Sequence, residues 1–248
     1  MRNLLSAHFA RLWKSRLFWM CAVISLAYGA FSLNSWYRYS QILFDMGLSP
    51  KLEWIQEFSH NIPIYIGILL AVFISLFLSA EYSDAAIRSK LVVGHSRTGV
   101  YFSSLITSAA AALLFCAAYL LPVLIGGAPH LHAAVSDLVI LLGLLALCAA
   151  YCAIFTGVSM NLDRKSAAPV TCLLGTFVLL FAAQALSRKA GPVYWLLTDV
   201  LPFGQAPRYA DVTRLTARQI LSMPLYSCAV AALATAVGLL LFRRKNIK

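Results

Sequence analysis

Long apolar runs alternate with shorter polar connections along this chain. Six of the runs are long enough to cross the ~30 Å hydrocarbon core of a bilayer as helices. The pattern places them at about 17–37, 61–80, 99–126, 134–160, 168–187 and 222–242. The sequence therefore predicts an all-α integral membrane protein, with one six-span domain over residues 17–248.

The first segment, residues 1–16, has a two-sided pattern that predicts an amphipathic helix at the membrane interface. Its apolar side holds Leu4, Leu5, His8, Phe9, Leu12 and Trp13. Its polar side holds Asn3, Ser6, Arg11 and Lys14. No small-residue cleavage pattern closely follows, and the next apolar run continues to about Tyr37, so that run is predicted to be an uncleaved span.

The connection between the second and third runs, residues 81–101, has an internal pattern of its own. It is written EYSDAAIRSKLVVGHSRTGVY. Ile87, Leu91 and Val92 recur at helical spacing, which predicts a short amphipathic helix over about 84–93.

The two ends of this predicted helix carry suitable residues. Glu81 and Asp84 are expected in its first turn, where the helix dipole favours acidic side chains. Gly94 suits the left-handed conformation that often ends a helix. We therefore expect a short helix that lies across one membrane face and ends sharply.

The same connection carries the pattern E-x5-I-R-x2-L-x2-G-x-S-R-x3-Y. The matching residues are Glu81, Ile87, Arg88, Leu91, Gly94, Ser96, Arg97 and Tyr101. This pattern resembles the first cytoplasmic loop of the type-2 exporter permeases of the ATP-binding-cassette (ABC) superfamily. Two positions depart from the family: Ala85-Ala86 replaces a frequent Gly-Thr, and Ser104 replaces a Lys.

The resemblance implies that this connection is a coupling helix, which docks on a separate ATPase subunit. The implied ATPase-coupling set is the eight matching residues and Asp84. Glu81 would anchor the helix at the membrane face. Arg88 and Arg97 would pair with acidic groups of the ATPase or cap carbonyls within the loop.

The longest polar connection, residues 188–221, precedes the last run. Its stretch GPVYWLLTDVLPFGQ combines aromatics, leucines and two prolines, which predicts a folded or half-inserted hairpin. L-P-F-G-Q, residues 201–205, resembles the external loop before the last span of the same permeases. A re-entrant external loop is therefore expected here.

Composition agrees with a membrane protein. Of 248 residues, 61% are hydrophobic and 12% are charged, and the mean hydropathy is +0.79; soluble proteins carry about a quarter charged residues. The net charge of +11 could suggest a nucleic-acid partner. However, the Lys and Arg residues lie at the ends of apolar runs, which favours lipid headgroups as partners and not nucleic acid.

The distribution of basic residues predicts the orientation. With both termini inside, thirteen of the twenty Lys and Arg residues fall on the inner side. The positive-inside rule therefore predicts a multi-pass plasma-membrane protein with both termini and residues 81–101 in the cytoplasm.

The apolar runs offer little chemistry. Apart from Asp137 near the start of the fourth, they contain no Asp, Glu, Lys, Arg or His, whereas ion-coupled transporters place such groups at membrane depth. The sequence has no G-x4-G-K-[ST] or H-E-x-x-H motif, and Ser159 has no histidine base at its depth. The chain is predicted not to be an enzyme; ATP and magnesium would be bound by a partner subunit.

Metal and disulfide chemistry are not predicted either. All six cysteines lie within apolar runs, where a thiol behaves as a small hydrophobe. Cys148 and Cys152 share a helix face, and His130 and His132 share a connection, but neither pair has further ligands nearby in sequence.

A few side chains within the runs could line a substrate path. They are Asn34, Phe73, Phe77, Thr107, Thr156, Thr176 and Gln184. Such a path suits an antimicrobial peptide or a hydrophobic drug better than a sugar or an ion. The resemblance implies two ATPase copies and a second permease, identical or a sister subunit.

Two other functions remain open on the sequence. One is a non-transporting scaffold or sensor that binds an antimicrobial peptide through residues 188–221. The other is a neutral-core secondary carrier, which should show inverted repeats between its halves.

Overall fold

The computed structural model describes residues 2–46, 54–83, 86–127, 135–162, 166–186, 191–209 and 216–245. Within these residues the regular structure is helical, with no strand. The long helices are α1 Arg2–Lys14, α2 Arg16–Asp45, α3 Trp54–Ser83, α5 Arg97–Gly127, α6 Val135–Asn161, α7 Ala167–Leu186 and α10 Ala217–Arg244. The short ones are α4 Ala86–Val92, α8 Pro192–Trp195, a π-helical turn Leu196–Val200 and α9 Pro202–Tyr209.

Six helices in the described residues are long and apolar enough to cross a membrane, namely α2, α3, α5, α6, α7 and α10. The all-α prediction is confirmed for the described residues, and six of their helices have the length and composition of membrane spans. Helices α3 and α6 form the centre, with 72% and 61% of their apolar windows buried, against 22% for α2 and 17% for α10. The outer helices therefore present broad apolar surfaces, as lipid-facing helices do.

Two predicted connections are more helical than expected. The apolar pattern leaves residues 38–60 outside the first two predicted spans, but α2 continues to Asp45 and α3 already begins at Trp54. No Gly or Pro interrupts the chain between residues 38 and 46, so nothing there ends the helix. At the other connection α10 begins at Ala217, because Thr216 and Gln219 form a capping box.

The segment 192–209, which we call the hairpin, is a folded unit packed against α3, α6, α7 and α10. Gln205 is fully buried at its centre. Its Nε2 donates to the carbonyl oxygens of Asp199 at 2.6 Å and Met223 at 3.3 Å, and its Oε1 accepts from Ser227 Oγ at 2.6 Å. Residues 192–209 are therefore folded and packed into the bundle, and a re-entrant position in the membrane stays a prediction.

The neighbours of Gln205 fix the same hairpin to the bundle. A Cβ on Gly204 would lie 1.9 Å from the Leu197 carbonyl oxygen, so only glycine fits there. The Tyr151 hydroxyl donates to the Pro202 carbonyl oxygen at 3.1 Å. Arg208 pairs with Asp199.

Helix α1 packs mainly against α5. Leu4, His8 and Leu12, spaced by four residues, are its buried stripe. Trp13, expected on the same side, is 48% exposed and lies against Trp19 with ring centroids 5.8 Å apart. One face of α1 is thus packed against the helix bundle.

Candidate functional site

Helix α4 lies between α3 and α5 and has one buried side. Ile87 is 1% exposed and Leu91, one turn later, packs partly against the core. Arg88 and Ser89 are exposed on the opposite side. The predicted amphipathic helix is present, although it begins at Ala86 and ends at Val92.

A glycine ends α4 as expected. Gly94 has a φ of +98°, a left-handed conformation that favours glycine. Its N–H donates to the Leu91 carbonyl oxygen at 3.1 Å, and the His95 N–H donates to the Lys90 carbonyl oxygen at 3.2 Å. This pair of bonds is a Schellman motif, which satisfies the last carbonyls of the helix.

Ser96 begins the next span. Its Oγ accepts from the Gly99 N–H at 3.1 Å and its carbonyl oxygen accepts from the Val100 N–H at 3.0 Å, so Ser96 is the N-cap of α5. We call residues 86–97 the α4 elbow. Because only four residues, 93–96, separate α4 from α5 and both helix ends are capped, the elbow is a stiff connection.

Glu81 was expected in the first turn of α4, but it lies in the last turn of α3. Asp84 lies outside the described residues. The Glu81 side chain is fully buried. His8 Nδ1 of α1 lies 3.2 Å from its Oε1, Lys90 Nζ of α4 lies 3.2 Å from its Oε2, and Arg11 Nη1 lies 3.8 Å from its Oε1. One carboxylate therefore joins three helices.

Lys90 closes this cluster, which we call the Glu81 cluster and which consists of His8, Arg11, Glu81 and Lys90. Lys90 Nζ also lies 2.9 Å from His8 Nε2. Burial lowers the pKa of Lys90 below that of a free lysine, and the nearby Glu81 carboxylate offsets part of that effect. The cluster ties α1 to α4 through residues 82 positions apart.

Arg97 does not pair within its loop. Its Nη1 donates to the carbonyl oxygens of Arg243 at 2.8 Å, of Phe242 at 3.4 Å and of Lys245. These are the last carbonyls of α10, which have no partner within the helix, and a cation there also complements the helix dipole. Arg97 thus caps the last helix, which corrects its expected place among the carbonyls of its own loop.

Tyr101 is fully buried where α6 and α10 cross. Its hydroxyl lies 2.4 Å from the position that a Cβ on Gly238 would take, and the Gly157 Cα lies 2.9 Å from that position. Asn161 Nδ2 bridges the pair, donating to the Gly157 carbonyl oxygen at 2.7 Å and the Gly238 carbonyl oxygen at 3.1 Å. Two glycines allow this close approach.

The outward surface of the elbow carries two valines, of which Val92 is predicted from sequence to lie on the apolar side of the helix with Ile87 and Leu91. Val92 is 80% exposed and Val93 is 77% exposed. Beside them is a shallow depression of about 470 Å³ lined by Arg88, Leu91, Val92, His95, Ser96 and Arg97. Exposed apolar side chains next to cationic ones on a stiff backbone form a surface suited to contact with another protein.

His8 and Lys90 were also absent from the predicted site. The signal for His8 was present in the sequence, since a titratable residue lies midway between Leu4 and Leu12 on an apolar stripe. A buried polar residue needs a partner. The identity of that partner depends on tertiary packing.

The residues expected to line a substrate path differ in their exposure in the single chain. Phe73 packs against Phe77 and Phe115 with centroids 5.5 and 5.0 Å away. Thr107, Thr156 and Thr176 are buried, whereas Asn34 and Gln184 are exposed. Phe73 and Phe77 therefore belong to an aromatic core.

Metal ligands do not gather in the described residues, where no group of three or more His, Cys, Asp or Glu side chains could hold an ion. His130 and His132 lie outside those residues. The sequence matches no protein-family model and no curated protein.

Proposed function

We propose that this chain is the transmembrane permease subunit of an ATP-driven exporter of the type-2 ABC kind, and that the α4 elbow docks on a separate ATPase subunit. The observation that carries the proposal is the elbow itself. Its backbone is fixed at both ends, yet Val92 and Val93 project outward. A segment that connects two long apolar helices, α3 and α5, is well placed to transmit a displacement to both.

The exposed side chains of the elbow indicate what the partner surface must provide. Val92 and Val93 require an apolar floor, because apolar contact is their main source of binding energy. Arg88 requires an acidic group at the rim, and the guanidinium favours a two-oxygen carboxylate. A groove with an apolar floor and an acidic edge on the ATPase meets both needs.

The proposed mechanism moves the elbow as one body. ATP and magnesium bind two ATPase copies, whose closure pushes α4. The push reaches α3 through the buried contacts of Glu81 and Ile87, and it reaches α5 through the Ser96 cap. Because Arg97 carries the end of α10, the same push also reaches the last helix.

The rest of the assembly follows the same proposal. The chain pairs with a second permease, identical or a sister, in the plasma membrane with both termini in the cytoplasm. The substrate is hydrophobic or amphipathic, an antimicrobial peptide or a drug. The exposed positions of Asn34 and Gln184 support a path formed between two permeases.

Affinity purification from the native host tests the docking. The detergent-solubilised chain is compared with a variant carrying Arg88→Glu and Val92→Asp, and co-purifying proteins are identified by mass spectrometry. We expect a stoichiometric ATPase with a Walker motif in the first sample and its loss in the second. Arg218→Glu, the same charge reversal at an exposed residue at the start of α10, is the matched control and should retain the ATPase.

Absence of any ATPase under conditions that preserve membrane complexes would reject the exporter. Equal recovery with the double variant would reject the elbow as the docking surface. In the first case the peptide-binding scaffold and the secondary carrier become the functions to test, by peptide binding and by ion-gradient-driven uptake.

A further inference from the structure

The Glu81 cluster constrains where its protons lie. A lysine ammonium only donates hydrogen bonds. Since Lys90 Nζ lies 2.9 Å from His8 Nε2, that ring nitrogen must accept. The ring proton is then on Nδ1, which faces Glu81 Oε1 at 3.2 Å. The geometry therefore holds His8 as the neutral Nδ1–H tautomer.

The basic side chains around His8 in the described residues disfavour a second ring proton. Arg11 Nη1 and Lys90 Nζ both share the single carboxylate of Glu81. In the described part of the chain, the charged side chains in contact with His8 are those of Glu81, from α3, and Lys90, from α4. A protonated His8 would add a cation next to Lys90 and Arg11 at the Glu81 carboxylate.

Protonation also acts at one specific contact. It would turn His8 Nε2 from an acceptor into a donor that faces the Lys90 ammonium, so the two groups would repel. Lys90 would keep Glu81 as its partner, but the Lys90–His8 contact between α4 and α1 would be lost. Ile87 would still hold α4 to the core, so the bundle itself would stay folded.

We propose that the Glu81 cluster is a proton-sensitive latch, which clamps α1 to α4 while His8 is neutral and releases α4 when His8 gains a proton. Acidification on the α4 side then loosens the elbow. As a regulator of transport the latch rests on the proposed function, but as a conformational device it is a property of this chain alone.

The test uses the full chain alone in lipid nanodiscs, over about pH 8 to about pH 5, the range in which an ordinary imidazole gains its proton. Nitrogen-15 NMR of labelled histidines reports the ring state of His8, assigned by its absence in His8→Gln. Hydrogen–deuterium exchange, corrected for the intrinsic rate, reports the protection of the α4 amides. We expect an Nδ1–H tautomer at the higher pH and, on protonation, about tenfold faster α4 exchange, as loss of one charged hydrogen bond predicts.

Two variants separate the latch from other pH effects. His8→Gln can still accept from Lys90 and donate to Glu81, so its α4 should stay protected at both ends of the range. His8→Arg carries a permanent charge and should show fast exchange at both. If His8→Arg fails to insert, the comparison of the wild type with His8→Gln still decides.

Three results would overturn the latch: an Nε2–H tautomer at the higher pH, unchanged α4 protection when His8 is doubly protonated, or a pH response in His8→Gln equal to that of the wild type. The last result would assign the pH response to Glu81 or Lys90 in place of His8. Because no ATPase is present, the latch and the docking can fail separately. If the latch is observed but no ATPase co-purifies, the latch itself stands and only its role in transport is rejected.

Discussion

The hairpin and the α4 elbow are both short helical segments between spans, but their side chains face opposite ways. In the hairpin, Gln205 bonds three neighbouring carbonyl oxygens and one hydroxyl inside the bundle. In the elbow, the backbone is equally well satisfied, yet Val92 and Val93 face outward. The hairpin therefore completes the scaffold of this chain, and the elbow offers a surface to another.

The largest loss of stability is expected at Gly204 of the hairpin, where there is no space for a side chain. Gly204→Ala would place a methyl group 1.9 Å from the Leu197 carbonyl oxygen, which forces the backbone to move. We expect a loss of about 3 kcal/mol, the upper end for overpacking. Thermal unfolding in detergent measures it. Gly175→Ala, where nothing lies within 4 Å of the new methyl, is the control, and equal losses in both would contradict the packing argument.

An intermediate loss of stability should distinguish Arg97 from Arg88, the two arginines of the elbow. Arg97→Ala frees the last carbonyls of α10, and we expect a loss of stability of about 1 to 2 kcal/mol. Arg88→Ala, at an exposed site, should change stability by less than about 0.5 kcal/mol but lower ATPase recovery. Unfolding and co-purification of both variants test this. The same stability for both would remove the distinction between capping and docking.

The smallest effect is expected at the end of α4. Gly94→Ala meets no neighbour within 4 Å, so only the left-handed backbone opposes it. We expect a loss of about 1 kcal/mol, together with faster amide exchange over α4 and the first turn of α5. Exchange that is unchanged at the elbow would show that its stiffness does not depend on Gly94.

Local chemistry made several of these features predictable from sequence. The six spans follow from length and hydropathy. The end of α4 at Gly94 and the start of α5 at Ser96 follow from residues that satisfy nearby backbone groups. Each depends on atoms only a few positions apart, so the chain carries the information locally.

The contacts that join the helices could not be obtained in this way. Arg97 reaches carbonyls 145 to 148 residues away, and His8 meets Lys90 across 82 residues. The sequence placed Glu81 at the start of a short helix, because an acidic first turn is favourable there. It lies instead in the last turn of α3, where the nearby cations Lys90 and Arg11 offset the cost of burying the carboxylate.

The crossing of α6 and α10 at Gly157 and Gly238 has a mechanical consequence. Where side chains separate two helices, small sliding movements are absorbed by changes of rotamer. Here backbone meets backbone, with Tyr101 of α5 wedged beside the contact, so there is little slack to absorb a displacement. Helices α5, α6 and α10 should therefore tilt together as one rigid unit.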